Sequence, residues 1–244
     1  MEYTVEHAQR ILDVIDVGLV AGLGNPVPGQ MCVEAAICYS LGLSHSDDPG
    51  CVSDAVRSFK IRLNDAHWSS PAARAKGLRA LAIAQLGSRG VVNNGEFTGR
   101  IIEATIRKIL PIGLRTSARL NPMFAVLLES AAIRCELEGS NNAANVAAAY
   151  ANAAYANATT NASYAYTTYA ADGAANVADA GNPAARAVVV AIDVAYAVNA
   201  ADGALVVGTT SDSILSKSAA LAFDVLRSMG APGVVLWDAV NARS

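Results

Sequence analysis

The amino-acid sequence predicts an all-α protein, a multi-helix bundle of roughly nine to eleven helices. Apolar residues recur at helical spacing in nearly every segment, and capping residues, glycines and prolines separate these segments. Alanine, the strongest helix former, supports the same fold class, because the chain holds 50 alanines and 27 of them fall in residues 143–204. Strand signals are confined to short pieces at 205–207 and 234–236.

Local start and stop signals divide the first half of the chain into six predicted helices. Ser70 is placed to cap a helix that has Pro71 in its first turn. Pro111 ends the fifth helix, and Gly139 follows the sixth. The predicted segments are 3–16, 30–42, 51–63, 71–87, 96–110 and 122–138.

The composition changes at residue 140, and residues 140–172 contain neither Lys nor Arg. Alanine favours one long helix over 141–172, with further helices over about 184–201 and from 211 onward. The change indicates two lobes, 1–139 and 140–244, or one domain that contains both. A helix with so little charge needs a covering surface, which either the chain's own N-terminal helices or another subunit would supply. The length of the helix favours another subunit, so we expect a homo-oligomer with the tyrosine stripe in or near its interface. That stripe consists of Tyr155, Tyr166 and Tyr169.

The composition also excludes several classes of protein. Apolar residues make up 53% of the chain and charged residues 16%, which is unlike a disordered protein, and four cysteines are too few for a disulfide scaffold. The N-terminus lacks the pattern of a signal peptide, and charged or polar residues interrupt the most apolar stretch, 187–207. We therefore expect a cytoplasmic protein without membrane contact, and no motif indicates a cofactor.

The charge is distributed unevenly along the chain. Residues 1–56 carry a net charge of −7, residues 57–119 carry +9, and residues 120–244 carry −5. Such asymmetry indicates either segments that neutralise each other or a basic surface for nucleic acid or another polyanion. In the second case the binding residues are Arg57, Lys60, Arg62, Arg74, Lys76, Arg79, Arg107 and Lys108.

Cys32 is the candidate nucleophile. It stands at a predicted helix start, where the helix dipole favours a thiolate, and Gln30 just upstream is placed to stabilise an oxyanion. This segment resembles papain-like and bacteriocin-processing cysteine peptidases, and the resemblance implies a hydrolase with His67 as the candidate base. Val33 stands where that family has glycine, and no histidine follows on a strand. The alternative is a thiol packed in the core.

A second cluster combines residue types that bind metal ions. It consists of His45, Asp47, Asp48 and Cys51, which all fall in one turn. The alternative role of the two aspartates is to favour the N-terminus of the next helix. Elsewhere, Glu34 and Glu129 fall among apolar residues at helical spacing, so their carboxyl groups are candidates for buried acids.

The Ala-Ala-x-x-Ala pattern over residues 143–200 resembles alanine-rich, all-helical proteins of bacteria and their phages, including immunity proteins of toxin systems. The resemblance implies a protein without catalysis that binds another macromolecule. Our leading hypothesis is therefore a helical interaction protein of the immunity, inhibitor or assembly type with a protein partner. The alternatives are a nucleic-acid or nucleotide binder that uses residues 57–119 and a cysteine hydrolase that uses Cys32.

Overall fold

The described part of the chain is helical. A computed structural model describes residues 2–156, 183–201 and 210–242, which form eleven α-helices and one short 3-10 helix. The all-α prediction is confirmed. The elements are α1 (Val5–Ile15), α2 (Val33–Ser40), α3 (Asp54–Asn64), α4 (Pro71–Ala84), α5 (Asn94–Lys108), α6 (Leu110–Leu120), η1 (Pro122–Phe124), α7 (Ala125–Glu138), α8 (Asn141–Ala156), α9 (Pro183–Ala201), α10 (Ser211–Ser228) and α11 (Pro232–Asn241).

Local sequence signals account for several of these boundaries. The Ser70 hydroxyl accepts a hydrogen bond from the backbone N–H of Ala73 at 3.0 Å, so α4 starts with a side-chain cap. Helix α5 ends at Lys108 and α6 begins at Leu110, and Pro111 lies in the first turn of α6. Gly139 ends α7 with a φ of +61°, a conformation that side chains with a Cβ atom rarely adopt. The strand signal at 234–236 lies inside α11 and begins two residues after Pro232.

The first compact unit comprises Met1–Gly99 and Ala219–Ser244. Helix α1 packs against α2, α4 and α11, and α2 also contacts α3 and α4. Helices α4 and α11 approach closely because Gly233 has no side chain, and a Cβ atom there would overlap the Ile83 carbonyl oxygen. Fully buried side chains fill this unit, among them Leu12, Phe59 and Leu78.

The second unit comprises Arg100–Ser218. Helix α6 contacts α7, α8 and α9, and α7 also packs against α8. Alanines form the buried side of α8, where Ala147 and Ala151 have no exposed surface. Their small side chains allow the neighbouring backbones to approach closely.

The units differ from the lobes that composition indicated. A division at residue 140 would separate α7 from α8, yet these helices pack together in the second unit, and the last residues of the chain join the first unit. The predicted helix over 141–172 is described as far as Ala156. Tyr155 in α8 is half-buried. Tyr166, Tyr169 and the strand signal at 205–207 lie outside the described residues.

No helix in the described part of the chain is by itself both long and apolar enough to cross a bilayer. Helices α10 and α11 meet the criteria of length and composition only as a pair, and the chain bends by 115° between them.

Candidate functional site

Three arginines of the basic segment form ion pairs with carboxylates of the acidic N-terminal segment. The pairs are Arg57–Asp47 at 2.7 Å, Arg79–Asp16 at 2.9 Å, and Arg89 with Asp54 at 3.2 Å and with Asp48 at 3.4 Å. All these residues lie in the first unit. The charges of residues 1–56 and 57–119 thus compensate each other in part, which supports the first interpretation of the uneven charge.

Lys60 and Arg74, which the sequence placed among the anion-binding residues, are buried. The Arg74 guanidinium donates hydrogen bonds to the backbone carbonyls of Asn64 at 2.8 Å and Leu19 at 2.9 Å, and so holds the end of α3 and the loop after α1 to α4. Lys60 has no exposed side-chain surface. The structure corrects the prediction for both residues, because neither can reach a polyanion outside the protein.

Arg107 binds the end of a neighbouring helix. Its guanidinium donates hydrogen bonds to the carbonyl oxygens of Glu136 and Leu137 at 2.7 Å and of Glu138 at 2.9 Å. These carbonyls have no partner within α7, and they form the negative end of its dipole. Arg107 therefore caps α7. Of the predicted anion-binding residues, Arg62, Lys76 and Lys108 remain exposed.

A buried ion pair joins three elements of the first unit. Lys60 on α3 lies 3.1 Å from the Oε1 atom of Glu34 on α2, and Gln85, directly after α4, donates to Glu34 Oε2 at 2.9 Å. Burial raises the pKa of the Glu34 carboxyl and lowers the pKa of the Lys60 ammonium, since both charged forms lose hydration. The opposite charge of each partner counteracts that shift. Neither side chain of the pair has exposed surface, so the contact stabilises the packing of α2 against α3.

The peptidase-like residues do not form a catalytic site. Cys32 is the N-cap of α2, and its Sγ atom accepts a hydrogen bond from the backbone N–H of Ala35 at 3.3 Å. Burial raises the pKa of the Cys32 thiol, which opposes formation of a thiolate. Gln30 and His67 are exposed, and no hydrogen bond joins Cys32 to a histidine in the described part of the chain. The position of Cys32 is that of a thiol packed in the core, the alternative that the sequence left open.

The predicted metal ligands have other partners. His45 Nε2 lies 3.0 Å from the carbonyl oxygen of Gly24, Asp47 and Asp48 pair with arginines, and Cys51 is buried. Asp48 also accepts a hydrogen bond from the backbone N–H of Gly50, as expected for a turn residue. Within the described residues, no three His, Cys, Asp or Glu side chains are grouped so that they could hold a metal ion.

A wide groove runs along the helical hairpin of α6 and α7 in the second unit. It has a volume of about 790 Å³, and its lining combines small and apolar side chains with charged residues at the edge. Arg115 joins the two helices, because it binds Glu129 at 2.8 Å and contacts Glu136 through two nitrogen atoms. The lining residues are Arg115, Ala118, Arg119, Ala125, Val126, Glu129, Ser130 and Ile133.

Large apolar side chains are exposed beside this groove. Met123 is 83% exposed, Val126 81% and Leu137 75%, and Ile133 is also exposed. On α7, Val126, Ser130, Ile133 and Leu137 follow spacings of four, three and four residues, which place them on one side of the helix. We call these four residues the α7 stripe. No residue in the described part of the chain covers it.

The α7 stripe was not predicted from the sequence, because α7 is apolar on two sides. Leu128, Ala132 and Cys135 are buried, whereas the stripe faces away from them. The signal that could have revealed it is the second 4-3-4 spacing, since one helix in contact with one core needs a single apolar face. The predicted helix 122–138 therefore presents an exposed apolar surface as well as a buried one.

Comparisons with models of protein families, with curated proteins and with solved structures found no significant match.

Proposed function

We propose that this chain is a non-enzymatic interaction protein that binds another protein chain through the α6–η1–α7 face. The observation that carries the proposal is the α7 stripe beside a groove of about 790 Å³. Contiguous apolar surface with a polar rim is typical of protein–protein contact sites. Arg115, Arg119 and Glu129 form such a rim.

The other two hypotheses have less support. The basic segment has many of its charges in ion pairs or inside the protein, so little of it forms a continuous surface for nucleic acid. Cys32 is a buried residue that caps α2 through its sulfur atom, and its thiol has a raised pKa. These properties do not support nucleophilic chemistry. A protein partner therefore agrees best with the geometry.

The test compares the wild type with two variants that each place a glutamate on an exposed apolar position. Val126→Glu changes the α7 stripe, and Val235→Glu is the matched control on α11, where the valine is 71% exposed. Tagged proteins are expressed in the native host, and captured chains are quantified by mass spectrometry. The proposal predicts a chain that the wild type and Val235→Glu capture and Val126→Glu loses. The same captured set for all three proteins would contradict it.

A further inference from the structure

We infer that the partner of the α6–η1–α7 face is an amphipathic helix with an acidic residue near each end of its apolar side. This rests on the proposed function and specifies the chemistry of the partner. Two independent features of the second unit point to such a helix. One is the apolar groove, and the other is a set of basic side chains around it that the protein itself does not neutralise.

The shape of the face favours a helix. The groove has a volume of about 790 Å³ and runs along α6 and α7. Helix α6 has eleven residues and is therefore about 16 Å long, which equals about three turns of a bound helix. The apolar side of an amphipathic helix fits a groove of this kind. A bilayer surface is flat and would touch the exposed side chains without filling the groove.

The carboxylates at this face are already neutralised. All four glutamates of the second unit are held in ion pairs by arginines. The pairs are Glu103–Arg107, Glu129–Arg115, Glu136–Arg115 and Glu138–Arg134. None of these carboxylates is left to bind a basic partner.

Three exposed basic side chains around the face have no carboxylate within ion-pair distance in the described part of the chain. Arg119 lines the groove near the end of α6. Lys108 and Lys217 lie near the opposite end, around Glu136. Hydrogen bonds from Arg115 lower the pKa of the Glu136 carboxyl, and the charges of these two lysines lower it further. The face thus carries uncompensated positive charge at both ends, which acidic residues of a partner complement.

The distance between these ends sets the spacing of the acidic residues in the partner. Arg119 lies near the last residue of α6, and Lys108 lies just before its first residue, so the length of α6, about 16 Å, separates them. Two carboxylates about eleven residues apart on a helix are separated by the same distance. One acidic residue near each end of the apolar side therefore reaches both basic ends of the face.

The experiment selects ligands from a display library of helical peptides of about 18 residues, a length at which an isolated helix can form. Leucines with 4-3-4 spacing are fixed on one side, and two flanking positions about eleven residues apart contain Glu, Lys or Ser in equal shares. The immobilised full chain captures peptides, which are then sequenced. The wild type should enrich glutamate over lysine at the flanking positions at least about tenfold, since like charges repel across an interface.

Two double variants that reverse charges test where the preference arises. Arg119→Glu with Lys217→Glu reverses the charge at both ends of the face and should enrich lysine instead. Arg62→Glu with Lys76→Glu reverses two exposed charges of the first unit and should keep the preference for glutamate. Val126→Glu should enrich no peptide. All these side chains are exposed, and circular dichroism checks that each variant folds.

Three results would overturn the inference. The first is a library in which no peptide binds the wild type better than Val126→Glu. The second is equal enrichment of glutamate and lysine, or a glutamate preference that Arg119→Glu with Lys217→Glu retains. The third is cosedimentation with vesicles of phosphatidylcholine and phosphatidylserine that Val126→Glu abolishes, which indicates an anionic membrane surface. If the library yields no ligand and Val126→Glu still loses a captured chain in the host, the proposed function stands and only the chemistry of the partner was wrong.

Discussion

Lys60 is a charged side chain with no exposed surface, and the free energy of its burial depends on Glu34. The two groups lie 3.1 Å apart, and Gln85 supplies a further hydrogen bond to the carboxylate. Removal of water from both charges costs free energy that their attraction and hydrogen bonds offset. Removal of one partner leaves the other charge buried without compensation, so the effect of a single substitution should be large.

Lys60→Met should lower the free energy of unfolding by about 3–5 kcal/mol at neutral pH. The remaining Glu34 has a raised pKa in the folded state, so the folded state binds more protons than the unfolded state, and stability falls as the pH rises. The loss relative to wild type should therefore be smaller near pH 5 than near pH 8, since an unfolded glutamate titrates at about 4.3. Urea denaturation at both pH values measures this difference.

Two further variants control this prediction. Lys76→Met changes an exposed lysine on α4 and should alter stability by no more than about 0.5 kcal/mol. The double variant Glu34→Gln with Lys60→Met removes both charges and should recover most of the loss. A loss for Lys60→Met that equals the control, or that is independent of pH, would show that the pair does not act as described.

At the scale of single elements, α7 depends on contacts at its C-terminal end and along the edge that faces α6. Gly139 ends the helix, and Arg107 of α5 caps its last carbonyls while it also pairs with Glu103 at 2.8 Å. Arg115 of α6 fixes the acidic edge of α7. These contacts hold α7 in one rotation about its axis, so that one apolar side packs in the unit and the α7 stripe remains outside.

Arg107→Met should lower the free energy of unfolding by about 1–2 kcal/mol. The charged hydrogen bonds to three carbonyls are lost, and partial exposure of the guanidinium to water limits the effect. The matched control is Lys108→Met, the neighbouring exposed lysine, which should change stability little. Thermal unfolding of both variants measures the difference. Equal melting temperatures for the two variants would contradict the capping role of Arg107.

At the scale of the whole molecule, the net charge of −3 is the sum of segments with opposite charge. Arginines of residues 57–119 pair with aspartates of residues 1–56, and Arg115 pairs with glutamates of residues 120–244. Ion pairs inside each unit thus reduce the field that the sequence segments would show as separate chains. Much of the positive charge of residues 57–119 is therefore neutralised or buried in the folded protein.

The protein should therefore bind polyanions weakly. On a heparin column it should elute at or below physiological salt, about 0.15 M, because few phosphate-type contacts are available to release counterions. Arg62→Glu with Lys76→Glu, which reverses two exposed charges, should change the elution little. Strong retention of the wild type that this double variant abolishes would restore the nucleic-acid hypothesis.

Much of the secondary structure was predictable from the sequence, because its signals are local. The cap by Ser70, the first-turn position of Pro71 and the positive φ of Gly139 each depend on residues within one turn. The prediction of a helix at 122–138 was therefore correct within a few residues. The candidate site was less predictable, because the exposed stripe of α7 and the buried side of the same helix both consist largely of apolar residues. Composition alone does not show which of the two faces the core.

The sequence by itself determined the fold class, several helix boundaries in the first half of the chain and the uneven charge of this protein, but it did not predict α6. The tertiary structure alone decided which charges meet, that Lys60 is buried beside Glu34, and which side of α7 remains exposed. The physical reason is the distance along the chain over which each kind of interaction acts. Helix propensity and capping act between neighbours in the chain, whereas burial and ion pairing depend on residues that only the packing of helices brings together.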